Sequence, residues 1–237
     1  MFSELAVRVK HSAGQNIHGG TAAEYIKEVI EMIKKDRNHI ILTADPTKVI
    51  PAVLNNKKSC KDFINCISGT FQYRNKANGI IFAWSKQINN LSAHGWLGMP
   101  DTVIYCTKSG KMKIDDFVSI DSETKKDVLW AVSGMGLLSH YNPLKQGYAC
   151  FRKNGKMYNY SDVRRKTNHT VLGFDEKGTV YGIYFSNLSA AQINDYCQKM
   201  HLCGAILLDG GHVAAVNSDV GTRNGNQRQH NIIQFVQ

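Results

Sequence analysis

Ala205-Ile206-Leu207-Leu208-Asp209-Gly210-Gly211 reads as a buried strand that ends on a carboxylate and a pair of glycines. From Gly204 to Leu208 the residues are small or apolar, as in a strand covered on both faces. Asp209 stands where that strand emerges. An acid at the rim of a rigid sheet has its geometry fixed by packing, which suits catalysis. Gly210 and Gly211 tolerate positive φ and leave backbone N–H groups open to an anion. A plainer reading also fits: Asp209 does no more than cap a tight Asp-Gly turn. The local pattern leaves both open.

Upstream, Thr170–Phe174 and Thr179–Phe185 read as strands joined by a turn at Asp175-Glu176-Lys177-Gly178. A helix follows. Ser189 with Gln192 three residues on makes a capping box, and Ile193, Tyr196, Cys197 and Met200 line its buried face until it ends near Leu202-Cys203-Gly204. A second helix is expected from Thr21, with Glu24 closing the box and Ala22, Tyr25, Ile26, Val29, Ile30 and Ile33 on one face. Residues 57–67 read as a third. His39–Leu42, Gly79–Trp84, Thr102–Cys106 and Leu129–Val132 are further strands, and Lys108-Ser109-Gly110-Lys111 and Lys153-Asn154-Gly155-Lys156 are hairpin turns. The helices are too few and too unevenly spaced for a βαβ alternation. The expected class is therefore α+β, with mixed β-sheets and few helices. No repeat or Pro-rich linker interrupts the chain. Residues 1–60 read as an N-terminal strand and helix segment packed on a main domain of residues 61–237.

The 237 residues are 43% apolar, enough for a sizeable core and against intrinsic disorder. No apolar run approaches the roughly 20 residues of a membrane-spanning helix. Met1-Phe2-Ser3-Glu4-Leu5-Ala6-Val7-Arg8 lacks the pattern of a secretion signal, so a cytoplasmic or virion-associated protein is expected. The six cysteines include no Cys-x-x-Cys pair, so no zinc site is expected and the thiols read as free and mostly buried. Lys+Arg outnumber Asp+Glu by 29 to 19, a net charge of +10. The basic residues fall in short clusters such as Lys57-Lys58, Lys125-Lys126 and Arg164-Arg165-Lys166. Scatter of that kind fits general attraction to polyanions or an anionic substrate better than sequence-specific nucleic-acid binding. His18-Gly19-Gly20-Thr21 and His94-Gly95-Trp96 read as loops. No Ser or Cys nucleophile motif, phosphate-binding loop or dinucleotide fingerprint appears, and no cofactor or metal is expected.

From Thr170-Val171-Leu172-Gly173-Phe174, through the Gly178 turn and the Ser189-led helix, to Leu208-Asp209-Gly210-Gly211, the chain resembles the C-terminal half of phosphodiester glycosidase domains. Asn217 and Arg228 match an asparagine and an arginine that follow in that family. Ile67-Ser68-Gly69-Thr70-Phe71 resembles its asparagine-glycine-glycine-phenylalanine segment, and Ala131-Val132-Ser133-Gly134-Met135-Gly136-Leu137-Leu138 its glycine-rich turn before a strand. The resemblance covers roughly residues 63–236. It departs at three places: His212 and Val213 follow Asp-Gly-Gly where glycine and serine are usual, His169 replaces an arginine, and Ser68 replaces an asparagine.

The resemblance implies hydrolysis of a sugar-1-phosphate diester or a related bond. Phosphate leaves readily, so the minimum is a carboxylate for water or for charge at the sugar, plus donors for the phosphate. Asp209 suits the first task, with His169, Arg228 and His212 as further catalytic candidates. An imidazole can give or take a proton near neutrality. Arg165, Thr170, Gly210, Gly211, Asn217, Gly69 and Gly134 are substrate-binding candidates, and the partner implied is an anionic glycan or sugar phosphate. The three departures also admit a non-catalytic module that keeps the fold for binding or structure, for example in a virus or phage particle.

Overall fold

The computed structural model describes residues 39–73, 76–93, 100–139, 150–153, 156–159 and 165–236. The Thr21 helix, His18–Thr21 and His94–Trp96 lie outside them. In chain order the elements are β1 (His39–Ala44), β2 (Val49–Ser59), β3 (Cys66–Ser68), β4 (Gln72–Tyr73), β5 (Lys76–Ala77), β6 (Ile81–Ala83), β7 (Lys86–Asn89), β8 (Asp101–Thr107) and β9 (Met112–Phe117). Then come α1 (Ser122–Asp127), β10 (Val128–Leu138), β11 (Cys150–Lys153), β12 (Lys156–Asn159), β13 (Thr167–Phe174), β14 (Val180–Leu188) and α2 (Ala190–Lys199). The chain closes with β15 (Gly204–Gly210), β16 (Val216–Ser218), β17 (Gly221–Arg223) and β18 (Arg228–Phe235).

Two sheets carry the architecture. The larger has nine strands, with β1-β14-β13-β15-β10-β6-β7 as its path and β8 and β9 joined through β10. The smaller has five, in the order β17-β16-β3-β18-β2. The ladders of β13 with β14 and β15, of β10 with β15 and β8, and of β18 with β2 and β3 are all antiparallel. Ile40–Gln237 forms one compact unit.

This arrangement corrects the expected α+β class: the fold is β-rich. The described α-helices are α1, of six residues, and α2, of ten. The apolar runs pair with one another instead of alternating with helices. The expected helix over 57–67 is also replaced. That segment finishes β2, makes a single 3₁₀ turn at Cys60–Asp62 and enters β3. Asn65, at φ 53°, bends the chain into β3, where its N–H groups find β-ladder partners that a short isolated helix would not offer.

The sheets face each other across a common core. Trp130 and Val132 of β10, Leu172 and Phe174 of β13, and Ile206 and Leu208 of β15 meet Ile67, Val216, Ile233 and Phe235 of the smaller sheet. Each such side chain contributes about 1.5–3 kcal/mol on burial. Trp130 is anchored further by donating its indole N–H to the Pro46 carbonyl at 2.7 Å. On the outer face of the large sheet, α2 buries Ile193 and Cys197. The Phe185 and Tyr196 rings there meet edge to face, 5.1 Å apart. The capping box of α2 is formed as its sequence requires, with Ser189 and Gln192 exchanging hydrogen bonds.

Candidate functional site

Antiparallel pairing should place residues of β13 and β15 one against one. It does not do so at the end of β15. Val171 pairs with Leu207, but His169 pairs with Gly210, so the two steps on β13 span three on β15. The extra residue is a β-bulge at Leu208–Asp209, a device that re-aims a side chain at a strand end. Leu208 stays in the core while Asp209 and Gly210 are half-buried at the rim.

The main chain of Asp209 is held from two sides. Its N–H donates to the Gly69 carbonyl at 3.3 Å. Its carbonyl accepts from the Thr170 hydroxyl at 3.2 Å. The Thr170 oxygen also lies 3.0 Å from the Ser68 hydroxyl, which accepts the Ala215 N–H at 3.2 Å. Ser68 and Thr170 are almost completely buried. A knot of β3, β13, β15 and the chain before β16 therefore fixes the backbone under the carboxylate. The carboxylate itself accepts the Gly210 N–H at 2.9 Å, so that amide serves Asp209 rather than an external anion.

The expected glycines divide into two kinds. Gly69, Gly134 and Gly210 are packing positions. A Cβ on Gly69 would overlap the Asn231 amide, one on Gly134 would come within 2.5 Å of the Leu207 carbonyl, and one on Gly210 within 3.0 Å of His169 Nδ1. Gly211 is different. Its φ of +68° falls in the left-handed region and no neighbour crowds it; it starts the 3₁₀ turn Gly211–Val213 that presents His212 to solvent. His169, by contrast, is 1% exposed and packs against Gly210.

Beside the bulge lies an open cleft of about 620 Å³. Asn168 and His212 form one wall, and Thr222, Asn224, Asn226 and Gln227 form the other. Asn168 is itself tied to β14 by the Ser186 hydroxyl at 3.3 Å. The lining is rich in amides, carries one imidazole, and is suited to hydroxyl or phosphate oxygens. Asn217 does not line it. Its side-chain N–H donates to the Phe63 carbonyl at 2.6 Å and its carbonyl oxygen accepts the Thr222 hydroxyl, so it braces the far wall. Asn224 donates to the Ala214 carbonyl at 2.8 Å and Gln229 to the Val213 carbonyl at 3.0 Å. These bonds tie that wall to the turn after Asp209. Arg228 is exposed at the start of β18, paired with Ser59 of β2, and Arg165 is exposed before β13.

The structure thus brings Asp209, Thr170, Gly69, Gly210 and His169 together, with His212 at the neighbouring cleft. Sequence reading passed over Asn168, Thr222, Asn224, Gln227 and Asn231. The sequence carries a signal for Asn231 alone, the polar run Gln229-His230-Asn231 leading into an apolar strand, and the structure buries those three residues to 3%, 6% and 5% exposure. Asn231 donates to the Thr70 carbonyl at 3.0 Å and its own carbonyl accepts the Gly69 N–H at 3.1 Å.

A second polar cluster sits where β8 begins. Asp101 accepts the Ala93 N–H at 2.7 Å and the Ser133 hydroxyl at 2.9 Å, while Ser133 accepts the Ile80 N–H at 2.8 Å. Burial, only partly offset by those two donors, raises the Asp101 carboxyl to about 6. Among the described residues no three of His, Cys, Asp and Glu are grouped as they would be around a metal ion. Nor is any described helix long and apolar enough to cross a membrane.

No protein-family model matches the chain, and no curated protein sequence is similar to it. Solved structures are similar in fold. The zebrafish N-acetylglucosamine-1-phosphodiester alpha-N-acetylglucosaminidase catalytic domain, auto-inhibited by its pro-peptide, superposes with a TM-score of 0.57 at 13% identity, covering 85% of this chain and 73% of that one. A Burkholderia pseudomallei protein gives 0.55 at 7% identity, over 84% and 74% of the two chains. A hypothetical protein from Synechocystis gives 0.52 at 10% identity, over 84% of this chain but only 59% of its own length. At these identities the likeness is one of fold.

Proposed function

We propose that the chain is a hydrolase of the phosphodiester glycosidase kind, acting on a sugar-1-phosphate diester or a related bond. The observation that carries this reading is the bulged strand end at Asp209. A half-buried carboxylate stands on a backbone pinned by Gly69 and Thr170, in a fold shared with the catalytic domain of a phosphodiester glycosidase. Rigid placement of an acid is what transition-state stabilisation requires. Asp209 would activate water or stabilise positive charge at the sugar carbon. His212, exposed on the turn that follows, would exchange a proton with the leaving phosphate or with water. The amide-lined cleft would hold substrate hydroxyls and phosphate oxygens, with Arg228 and Arg165 drawing in the anion from solution.

Incubation with a panel of sugar-1-phosphate diesters, followed by release of free sugar and phosphomonoester, tests this directly. Turnover on a panel member supports the hydrolase; a panel that is bound but never cleaved contradicts it.

One observation favours a second reading, a binding module. Asp209 is not among the residues that line the cleft, and an amide-rich lining binds polyhydroxylated ligands without chemistry. Saturable glycan binding by a protein inert on every diester would establish that reading.

A further inference from the structure

Cys60 and Cys66 belong to one buried cluster with Ala215 and Ile232, and neither cysteine is exposed. The turn Cys60–Asp62 and the bend at Asn65 fold the chain back so that the Cys66 thiol donates to the Cys60 carbonyl at 3.4 Å and points toward the Phe63 carbonyl at 3.8 Å. The turn thus sets both thiols in the same small apolar cluster. Both are free in this structure. Cys106 and Cys197 are equally buried thiols, but neither shares a hydrophobic cluster with another described cysteine.

We propose that Cys60 and Cys66 are a disulfide-forming pair whose reaction partner is a small disulfide such as oxidised glutathione. One protein thiolate attacks a glutathione sulfur, forms a mixed disulfide and expels one glutathione thiolate. The second protein thiolate then attacks the protein-side sulfur and expels the other. Two cysteine sulfurs are oxidised, one glutathione disulfide is reduced to two thiols, and the two protein protons end on them.

The position gives the bond a consequence. The 60–66 turn braces the far wall of the cleft twice. The Lys61 N–H donates to the Gly225 carbonyl at 3.0 Å, and the Phe63 carbonyl accepts the Asn217 amide, which also holds Thr222. A covalent closure of the turn would stiffen both braces. The neighbouring Cys66 thiol and burial both push the Cys60 thiol well above its ordinary value, so little thiolate forms while the turn is closed. Ring closure therefore proceeds through opening of the turn, and exposed Cys203 reacts with glutathione first.

The test uses the full chain carrying Cys203→Ser, equilibrated in glutathione buffers of increasing oxidised fraction. Acid quenching, denaturing alkylation and peptide mass spectrometry then locate the oxidised sulfurs. The expected result is a 60–66 disulfide, with Cys106 and Cys197 alkylated. The melting temperature should rise by roughly 5–10 °C, from the closure entropy of so short a loop in a domain of this size, and the Lys61 amide should exchange more slowly. Adding Cys66→Ser should leave at most a glutathione adduct on Cys60 and no thermal gain. Two outcomes overturn the proposal: Cys60 and Cys66 alkylated together in every buffer, or each carrying its own glutathione without ring closure. The result is independent of the hydrolase reading, because no readout uses turnover.

Discussion

The hydroxyl of Thr170 donates to the main-chain carbonyl of Asp209 at 3.2 Å, from the strand opposite the bulge. The same oxygen lies 3.0 Å from the Ser68 hydroxyl, on the facing sheet. One buried hydroxyl therefore joins the two sheets directly beneath the candidate carboxylate. Thr170→Val keeps the shape and removes the hydroxyl. It should lower stability by about 1–3 kcal/mol, because buried partners are left unmet, and it should reduce any turnover through loss of Asp209 positioning. Thr170→Ser should recover most of both. Urea unfolding of the three proteins checks the stability, and steady-state kinetics the rest.

Gly69 should be intolerant of a methyl group. Its Cα abuts the side-chain amide of Asn231, which holds the Thr70 carbonyl. Gly69→Ala should cost about 1–3 kcal/mol by overpacking. Paired with Asn231→Ala, which clears the space, the combined loss should be smaller than the sum of the single losses by more than about 0.5 kcal/mol. Additive losses in a double-mutant cycle would show that the crowding is relieved elsewhere.

Asp101 makes a prediction with a definite sign. Its carboxyl is raised by burial to about 6, above the unfolded value of 3.8. The native state therefore holds the proton more tightly than the unfolded state. The stabilisation is full below pH ~4, is lost as pH rises toward ~6, and amounts to about 3 kcal/mol. Asp101→Asn keeps an acceptor for Ala93 and Ser133 and cannot ionise. Subtracting its stability curve from that of the wild type should leave a fall between pH ~4 and ~6 of this order. Two parallel curves would mean that Asp101 does not titrate there.

Asn217 should act on the cleft through its bracing bonds. Asn217→Ala removes the donor to Phe63 and the acceptor of Thr222. It should cost about 1–2 kcal/mol and speed amide exchange across Thr222–Gln227, while the Thr170 and Asp209 amides exchange as before. Uniform acceleration across the whole sheet would contradict a local brace.

Much of this organisation is legible in the amino-acid sequence. Ser189 with Gln192 fixed the start of α2, because capping is a local bond between residues three apart. Lys108–Lys111 and Asp175–Gly178 marked their hairpins, because turn chemistry is local too. The five small or apolar residues before Asp209 identified β15. The smaller sheet was not legible. It joins β2 and β3 to β16, β17 and β18 across about 150 residues of chain or more, and residues 57–67 took extended and 3₁₀ form to meet partners that no local window contains. Counting helices alone then suggested α+β where antiparallel pairing prevails. At the site, Asp209 and Thr170 were visible because they sit on the strands that read most clearly. The cleft was not, since Asn168, Thr222 and Gln227 gain meaning only when β13 is brought together with β17 and the chain that follows it. Asp101 and Ser133 are hidden for the same reason, 32 residues apart in sequence and 2.9 Å apart in space.

The most direct measurement is the turnover of Asp209→Asn on whichever sugar-1-phosphate diester the wild type cleaves, taken together with its melting temperature. The substitution keeps an oxygen to accept the Gly210 N–H, bound at 2.9 Å in the wild type, and leaves the backbone bonds to Gly69 and Thr170 in place. It removes only the charge. A catalytic carboxylate predicts a fall in kcat of about 10² to 10⁴ with the melting temperature nearly unchanged. If turnover persists near the wild-type rate while stability drops by about 1 kcal/mol, as when a polar cap is lost, Asp209 is a turn cap and the hydrolase assignment to this site is wrong.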